Sequence, residues 1–405
     1  MKYFKNTELA RIYKVSEKSV RNWIQATHEG KLELQLFEKE KRQYIANTTK
    51  NTLIIEQLVK KGKKYKNTRG YKVVSPSPKF YKLYNPRQVI DIISNLDNYR
   101  ETPLQYSYFN SGAKRWDQYT HHLLGLKTPN SITSTIQLLE LNRGYIDALI
   151  EGHKAVNIID LGVGNALPTR GLLEHFLERG LLKRYVALDV SKEMLDIAER
   201  NVAQWFKGKV NFEGYVRDIN YDRFDDLLLG ETFGPEAGCT TNLVLFLGGT
   251  LSNFREPDHL LSTIRDSMGK RDLLLFTKKL DTEQSRRYFE MAVSGNQEID
   301  LVIKLLNIDE SHYTVEQFFD ERNMARQVQI KLNVALAIKF QMDGKERIVE
   351  FNKGESILLW RAKHKNAVET IQQFDANGFS LVQAIRSKEQ EYLLLISKIK
   401  TTQYS

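Results

Sequence analysis

At 405 residues the chain exceeds one ordinary domain, and its 41% hydrophobic and 27% charged residues suit a soluble protein of two or three domains. Its longest apolar stretches, Leu243 to Leu247 and Leu273 to Phe276, are strand-sized and exclude a membrane-spanning helix, and a lone cysteine, Cys239, excludes an internal disulfide or a cysteine metal cluster. The net charge of +10 is concentrated: residues 1–75 hold 18 Lys and Arg against 7 Asp and Glu, leaving 42 against 43 elsewhere. The opening MKYFKNTELARIYK has no apolar signal region, so a reducing cytoplasm is the expected compartment.

A nucleic-acid partner is therefore to be sought in the first segment. Asn6-Thr7 can cap a helix with Leu9, Ala10, Ile12 and Tyr13 at helical spacing. Ser16 reads as the cap of a second helix whose Val20, Trp23 and Ile24, with Val15, face a core. In such a helix-turn-helix the second helix offers its first polar residues to the major groove, which makes Lys18, Ser19, Arg21 and Asn22 the candidate DNA-binding residues. LELQLFEKEKRQYIANTTKN then suits a hairpin wing with Lys39, Lys41 and Arg42 at its tip, before an apolar helix from Thr52 to Val59. The segment resembles the winged helix-turn-helix of the MerR and excisionase group, modules that usually act as dimers. A protein-interaction module is the alternative. Residues 60–85 mix basic residues with Ser-Pro-Ser-Pro, and Pro76 and Pro78 disfavour regular structure there. The division is a helix-turn-helix domain over 1–75 and a linker over 76–100.

The next signal is Val156 to Leu161, an apolar strand, followed by the turn Gly162-Val163-Gly164-Asn165-Ala166 and a helix from Thr169 to Arg179. Strand, glycine turn and helix open a Rossmann-like unit, in which Gly162 and Gly164 let backbone approach a ligand. A second strand, Tyr185 to Leu188, ends in Asp189, 25 positions after Gly164 and suited to ribose hydroxyls. Ser191 caps a helix from Lys192 to Asn201, and Arg217-Asp218 follows a third strand. The turn is GxGxA, not the dinucleotide GxGxxG, and Asp160, Asp189 and Asp218 in this order match class I methyltransferases, with Asp218 near the adenine. These residues, with Arg217, are the candidate S-adenosylmethionine site. A fourth strand, Thr241 to Phe246, leads into Leu247-Gly248-Gly249-Thr250-Leu251-Ser252-Asn253-Phe254, which puts Asn253 near the transferable methyl.

Three blocks carry a resemblance to a family: Tyr108-Phe109-Asn110-Ser111-Gly112, Ile159 to Gly164, and Phe246 to Phe254. The last is similar to the FLGSTxGNF signature of the histidine-specific methyltransferases, the L-histidine Nα-methyltransferases of ergothioneine biosynthesis, and the similarity spans roughly residues 100–400. The resemblance implies an α/β fold: a Rossmann-like class I methyltransferase core over 101–280 and 365–405, with a second α/β substrate domain inserted over 281–364. Strand five, Leu273 to Thr277, precedes that insertion. A helical stretch from Glu283 to Asn307 and strand-like alternation in Gln327 to Phe340, Ile348 to Asn352 and Ser356 to Trp360 fall inside it. A helix, Ile371 to Asn377, and a hairpin of Phe379 to Ile385 and Tyr392 to Ser397 close the chain.

Carried over by position, the resemblance implies that Asn253 holds the substrate's α-amino group and carboxylate, Tyr108 bonds the amine and Tyr288 contacts the carboxylate. Where the family grips imidazole with Glu and Ser, this chain has Trp360 and Ala362, and Leu124 to Thr128 replaces a tyrosine-bearing stretch. Imidazole would be left unsatisfied, a cost of roughly 1–3 kcal/mol per group. Trp360 instead suits an aromatic or apolar amino acid, or another amine. His121 and His122 lack a neighbouring carboxylate at ligand spacing and read as ordinary polar residues, with no metal.

Three functions stay open. The first is N-methylation of an amino acid or related small amine, with DNA binding by the N-terminal domain and a homodimer as the expected assembly. The second is a DNA-binding transcriptional regulator using a degenerate methyltransferase domain as a ligand sensor. The third, nucleic-acid methylation, is disfavoured because no proline pair follows strand four.

Overall fold

The computed structural model describes residues 3–13, 15–39, 42–64, 70–228, 239–283, 286, 301–342 and 344–401. Two compact units divide at residues 71 and 72. In the first, β1 (Tyr3–Phe4) leads into α1 (Asn6–Ile12) and α2 (Glu17–His28), then a hairpin of β2 (Leu36–Lys39) and β3 (Arg42–Ala46), then α3 (Thr49–Lys64). Ser16 caps α2 by accepting the Ser19 N–H at 3.1 Å. Asn6 is not a cap: it is the first helical residue, with Lys5 before it in extended backbone and no side-chain cap bond. Leu9, Val20, Leu34, Ile45 and Ile55 form the core, with Val15, Trp23 and Ile24 packed against it. The buried Asn51 amide ties α3 to the hairpin, its Oδ1 accepting from Gln35 N–H and its Nδ2 donating to the Gln35 and Ala46 carbonyls, all at 2.8 Å.

The second unit starts with β4 (Lys72–Val74), α4 (Pro78–Leu83), α5 (Pro86–Tyr99), α6 (Ser111–Gly125), α7 (Ser131–Leu141) and α8 (Arg143–Leu149). Residues 76–100 are thus not a linker. Pro78 and Pro86 sit in the first turns of α4 and α5, where proline's missing N–H has no helical partner to lose. Asn85 and Gln88 complete a capping box, and α5 buries Val89, Ile92, Ile93 and Leu96.

The central sheet takes β5 (Ala155–Leu161), β6 (Leu182–Asp189), β7 (Phe212–Val216), β8 (Thr240–Phe246) and β9 (Leu273–Lys279), with α9 (Arg170–Glu178) and α10 (Lys192–Phe206) as crossovers. A C-terminal hairpin completes it. Val156 and Ile158 face one helical layer, containing Leu172 and Phe176 of α9 and Val202 of α10. Ile159 and Leu161 face the other, containing Leu260 and Ile264 of the helix Pro257–Ser267. Period-2 burial on both faces makes a three-layer α/β/α stack.

Between β9 and the C-terminal hairpin lie β10 (Tyr313–Asp320), β11 (Ala325–Leu332), β12 (Leu336–Met342), β13 (Lys345–Phe351) and β14 (Ser356–Lys363). The stretch read as one alternation, 327–340, is divided: β11 lies in the sheet β10-β11-β14, and β12 lies in β13-β12-β4. β10 was not foreseen, because its mixed exposure hides the alternation. Parallel pairing of β4 with β12 joins the chain before the core to the insertion, and Phe80, Ile92, Ile338, Phe340 and Phe351 share one apolar cluster. The helix Ala367–Ala376 and the hairpin β15 (Phe379–Arg386) and β16 (Tyr392–Ile399) return to the central sheet. Its full order is β7-β6-β5-β8-β9-β16-β15, with β5 to β9 parallel and β16 antiparallel to β9. The chain reverses direction across the sheet between β5 and β8, which opens a crevice at their carboxyl ends.

Candidate active site

The loop after β5 is shaped by backbone. Gly162 and Gly164 have φ of +69° and +57°, the left-handed region that side chains avoid. A Cβ on Gly164 would also stand 3.3 Å from Trp116 Nε1 of α6. Beneath the loop Asp160 is buried, and its Oδ2 accepts from Thr169 Oγ1 at 2.6 Å and Tyr185 OH at 2.9 Å. Burial pushes its carboxyl up to about 6, against the pull of those two bonds.

Asp189 ends β6. Burial raises it too, to about 6, although backbone N–H groups of Ser191, Gly164 and Val190 bond it. It therefore links the glycine loop to the start of α10. Asp218, past β7, is raised to about 6 by burial and by its neighbours Asp91 and Asp222, with the Asn220 N–H at 3.1 Å opposing. The Arg217 guanidinium pairs with Asp226 at 2.7 Å, and its backbone N–H donates to the Asp189 carbonyl.

After β8, the Gly248 N–H donates to Thr277 Oγ1 at 2.9 Å, and Thr277 shares a 3.1 Å hydroxyl contact with Thr135. This clamps the start of the loop that leads into the short helix Thr250–Asn253. On the opposite side, Gly112 lets α6 begin against the turn Leu104–Tyr108: a Cβ there would lie 2.0 Å from the Ser107 carbonyl oxygen. That close approach places Tyr108 edge-on to Trp116, ring centroids 5.7 Å apart.

These elements line one open cavity of about 200 Å³. Asp160, Gly162, Gly164 and Asp189 line it, as do Arg217 and Asp218. Tyr108 and Asn253 line it as well. Trp360 does not: it lines an adjoining pocket that shares Leu104, Gln105, Asn253 and Phe254 with the first. Tyr288 lies outside the described residues, as does Lys41. Lys18, Arg21 and Asn22 are exposed on α2, whereas the Ser19 hydroxyl contacts Ser16 Oγ at 2.9 Å. His121 stands 3.5 Å from Asp117, and no metal-binding cluster occurs among the described residues. The sequence reading missed Trp116, Thr120 and Thr135, which reach the cavity from α6 and α7. A tryptophan and a threonine at i, i+4 on α6 were the available signal.

A parallel sheet with a reversed strand beside β9, a left-handed glycine loop at its switch point and carboxylates at the ends of two successive strands define a class I S-adenosylmethionine-dependent methyltransferase fold. The chain belongs to the histidine-specific, S-adenosylmethionine-dependent methyltransferase family, which matches residues 88–398. No curated protein matches the sequence. Among solved structures, it is similar to magnesium protoporphyrin IX methyltransferase from Synechocystis with bound S-adenosylhomocysteine, at 10% identity and a TM-score of 0.41, over 73% of this chain and 98% of that one. An S-adenosylmethionine-dependent methyltransferase from Clostridium acetobutylicum is similar at 10% identity and a TM-score of 0.37, over 71% and 99%. No helix among the described residues is long and apolar enough to cross a membrane.

The cofactor of this methyltransferase enzyme is S-adenosylmethionine, and the residues present fit it. Gly162 and Gly164 bring backbone to the wall of the cavity, and the carboxylates Asp189 and Asp218 line the same space, a donor-and-acceptor set that suits an adenosyl group.

Proposed function

We propose that this enzyme N-methylates an amino acid or a related small amine. The observation that carries the reading is that Asn253 and Tyr108 line the cavity that also holds the glycine loop, Asp189 and Asp218. When bound, S-adenosylmethionine supplies a methyl group on a sulfonium, and the enzyme's task is to hold an uncharged amine in line with it. Asp189 bonds ribose hydroxyls, while Asp218 and Arg217 border the adenine. Asn253 and Tyr108 orient the amine lone pair, and Asn253 also receives the acceptor's carboxylate. Asp160 acts from below, fixing the loop through Thr169 and Tyr185. Tyr288 remains a proposed contact to the acceptor carboxylate on the strength of the family resemblance alone.

Residues 1–71 are proposed to bind DNA as a winged helix-turn-helix, presenting Lys18, Arg21 and Asn22, with Ser19 as the cap partner beside them. The β2–β3 hairpin after α2 supports the reading, and a homodimer is the assembly such a module calls for. A degenerate, sensing role is the second reading, favoured by Trp360 and Ala362 where the family carries polar residues. Radiolabelled methyl transfer to a panel of amines separates the two. Turnover supports catalysis, and cofactor binding without transfer to any amine supports the sensor.

A further inference from the structure

The pocket next to the cofactor cavity is polar, in contrast to the apolar subsite that Trp360 suggests. Its wall is built from Glu101, buried between Arg255 Nη1 at 2.9 Å and Arg361 Nη2. Arg255 is held further by Asn95 Oδ1 at 2.8 Å and by the Tyr99 ring, whose centroid lies 3.4 Å from its guanidinium carbon. Both Glu101 oxygens are therefore engaged. The pocket's other inner carboxylate, Asp91, is engaged on both oxygens: its Oδ2 accepts from Tyr106 OH, and its Oδ1 accepts from Tyr221 OH and Asn95 Nδ2, all at 2.9 Å. Glu256 is exposed and bonds Arg255 Nε at 3.3 Å. What remains is donor capacity. Among the described residues Arg361 commits only Nη2, and Arg255 only Nε and Nη1.

Two guanidinium groups braced by a shared carboxylate, with N–H bonds left over and both lining the pocket, are donors suited to an oxyanion. Asn253 borders this pocket and the cofactor cavity alike, so an acceptor whose amine sits at Asn253 reaches the arginines with its far end. Resting on the proposed N-methyltransferase reading, we infer that the pocket of Arg255 and Arg361 is the side-chain subsite and that the acceptor is an amino acid ending in a carboxylate.

The test measures labelled methyl transfer to L-aspartate, L-glutamate, their amides, L-norvaline, L-phenylalanine and L-histidine, with S-adenosylmethionine binding followed by calorimetry on the same full-length samples. The expected result is kcat/KM at least tenfold higher for one of the two acids than for its amide. That ratio should fall toward one in Arg361→Gln and Arg255→Gln while cofactor affinity stays within about twofold. Because Arg361 is deeply seated, Arg255→Gln decides if the other variant fails to fold. An amide or apolar amino acid used as well as the acids overturns the inference, as does cofactor binding with no transfer to either acid. Absence of cofactor binding overturns the enzyme reading itself, and calorimetry separates that failure from the others.

Discussion

Replacing Asp160 by Asn isolates the electrostatic cost of the glycine loop's foundation. Both hydrogen bonds to this side chain arrive at one oxygen, Oδ2, from Thr169 and Tyr185, so an amide oxygen can accept both. The carboxylate, in contrast, is held in a site that raises its pKa from 3.8 to about 6. A raised carboxyl penalises the folded state wherever the group is ionised in both states, and here that penalty is about 3 kcal/mol above pH 6. It falls away as pH drops through 6 toward 3.8, because the folded protein then takes up the proton first. Asp160→Asn should therefore unfold at higher denaturant than the native protein at pH 8, by up to about 3 kcal/mol, and the gap should narrow to roughly half by pH 5. Urea titrations of both proteins at pH 5, 6, 7 and 8 read this out. A destabilised variant, or a gap that does not change with pH, would refute the reasoning.

Gly164→Ala must place a side chain at φ +57° and against Trp116, a backbone cost of about 1–2 kcal/mol. It should weaken S-adenosylmethionine binding by tenfold or more in calorimetry, whereas Gly30→Ala, in the other unit with open space around it, should leave binding unchanged. Thr277→Val strips the Gly248 N–H of its acceptor, worth roughly 1–3 kcal/mol if the group stays buried. A lower Tm and kcat/KM are expected, with Thr277→Ser restoring both; equal loss in the two variants would show that the methyl group matters instead. For the N-terminal unit, Lys18→Ala with Arg21→Ala should weaken DNA binding and reduce its log–log salt slope by about 2, as read by fluorescence anisotropy.

The glycine loop was legible because its demand is conformational: positive φ leaves a residue-level mark at Gly162 and Gly164. The strand-end carboxylates were legible through order along the chain. Residues 76–100 are not legible from their prolines alone, because Pro78 and Pro86 start helices rather than break them. The charged pocket was invisible for a different reason. Glu101 meets Arg255 across 154 positions and Arg361 across 260, and no local pattern records such a meeting. Trp360 alone suggested an apolar subsite, while its strand neighbour Arg361 supplies the charge.

The central claim is that one crevice holds the cofactor while Asn253 faces its reactive end. Calorimetry and single-turnover methyl transfer on native protein, Asp189→Ala and Asn253→Ala test it together. Asp189→Ala should lose cofactor affinity by at least tenfold, whereas Asn253→Ala should keep that affinity and lose transfer. Native protein that takes up no S-adenosylmethionine at millimolar concentration, or variants that bind and react as it does, would contradict the account.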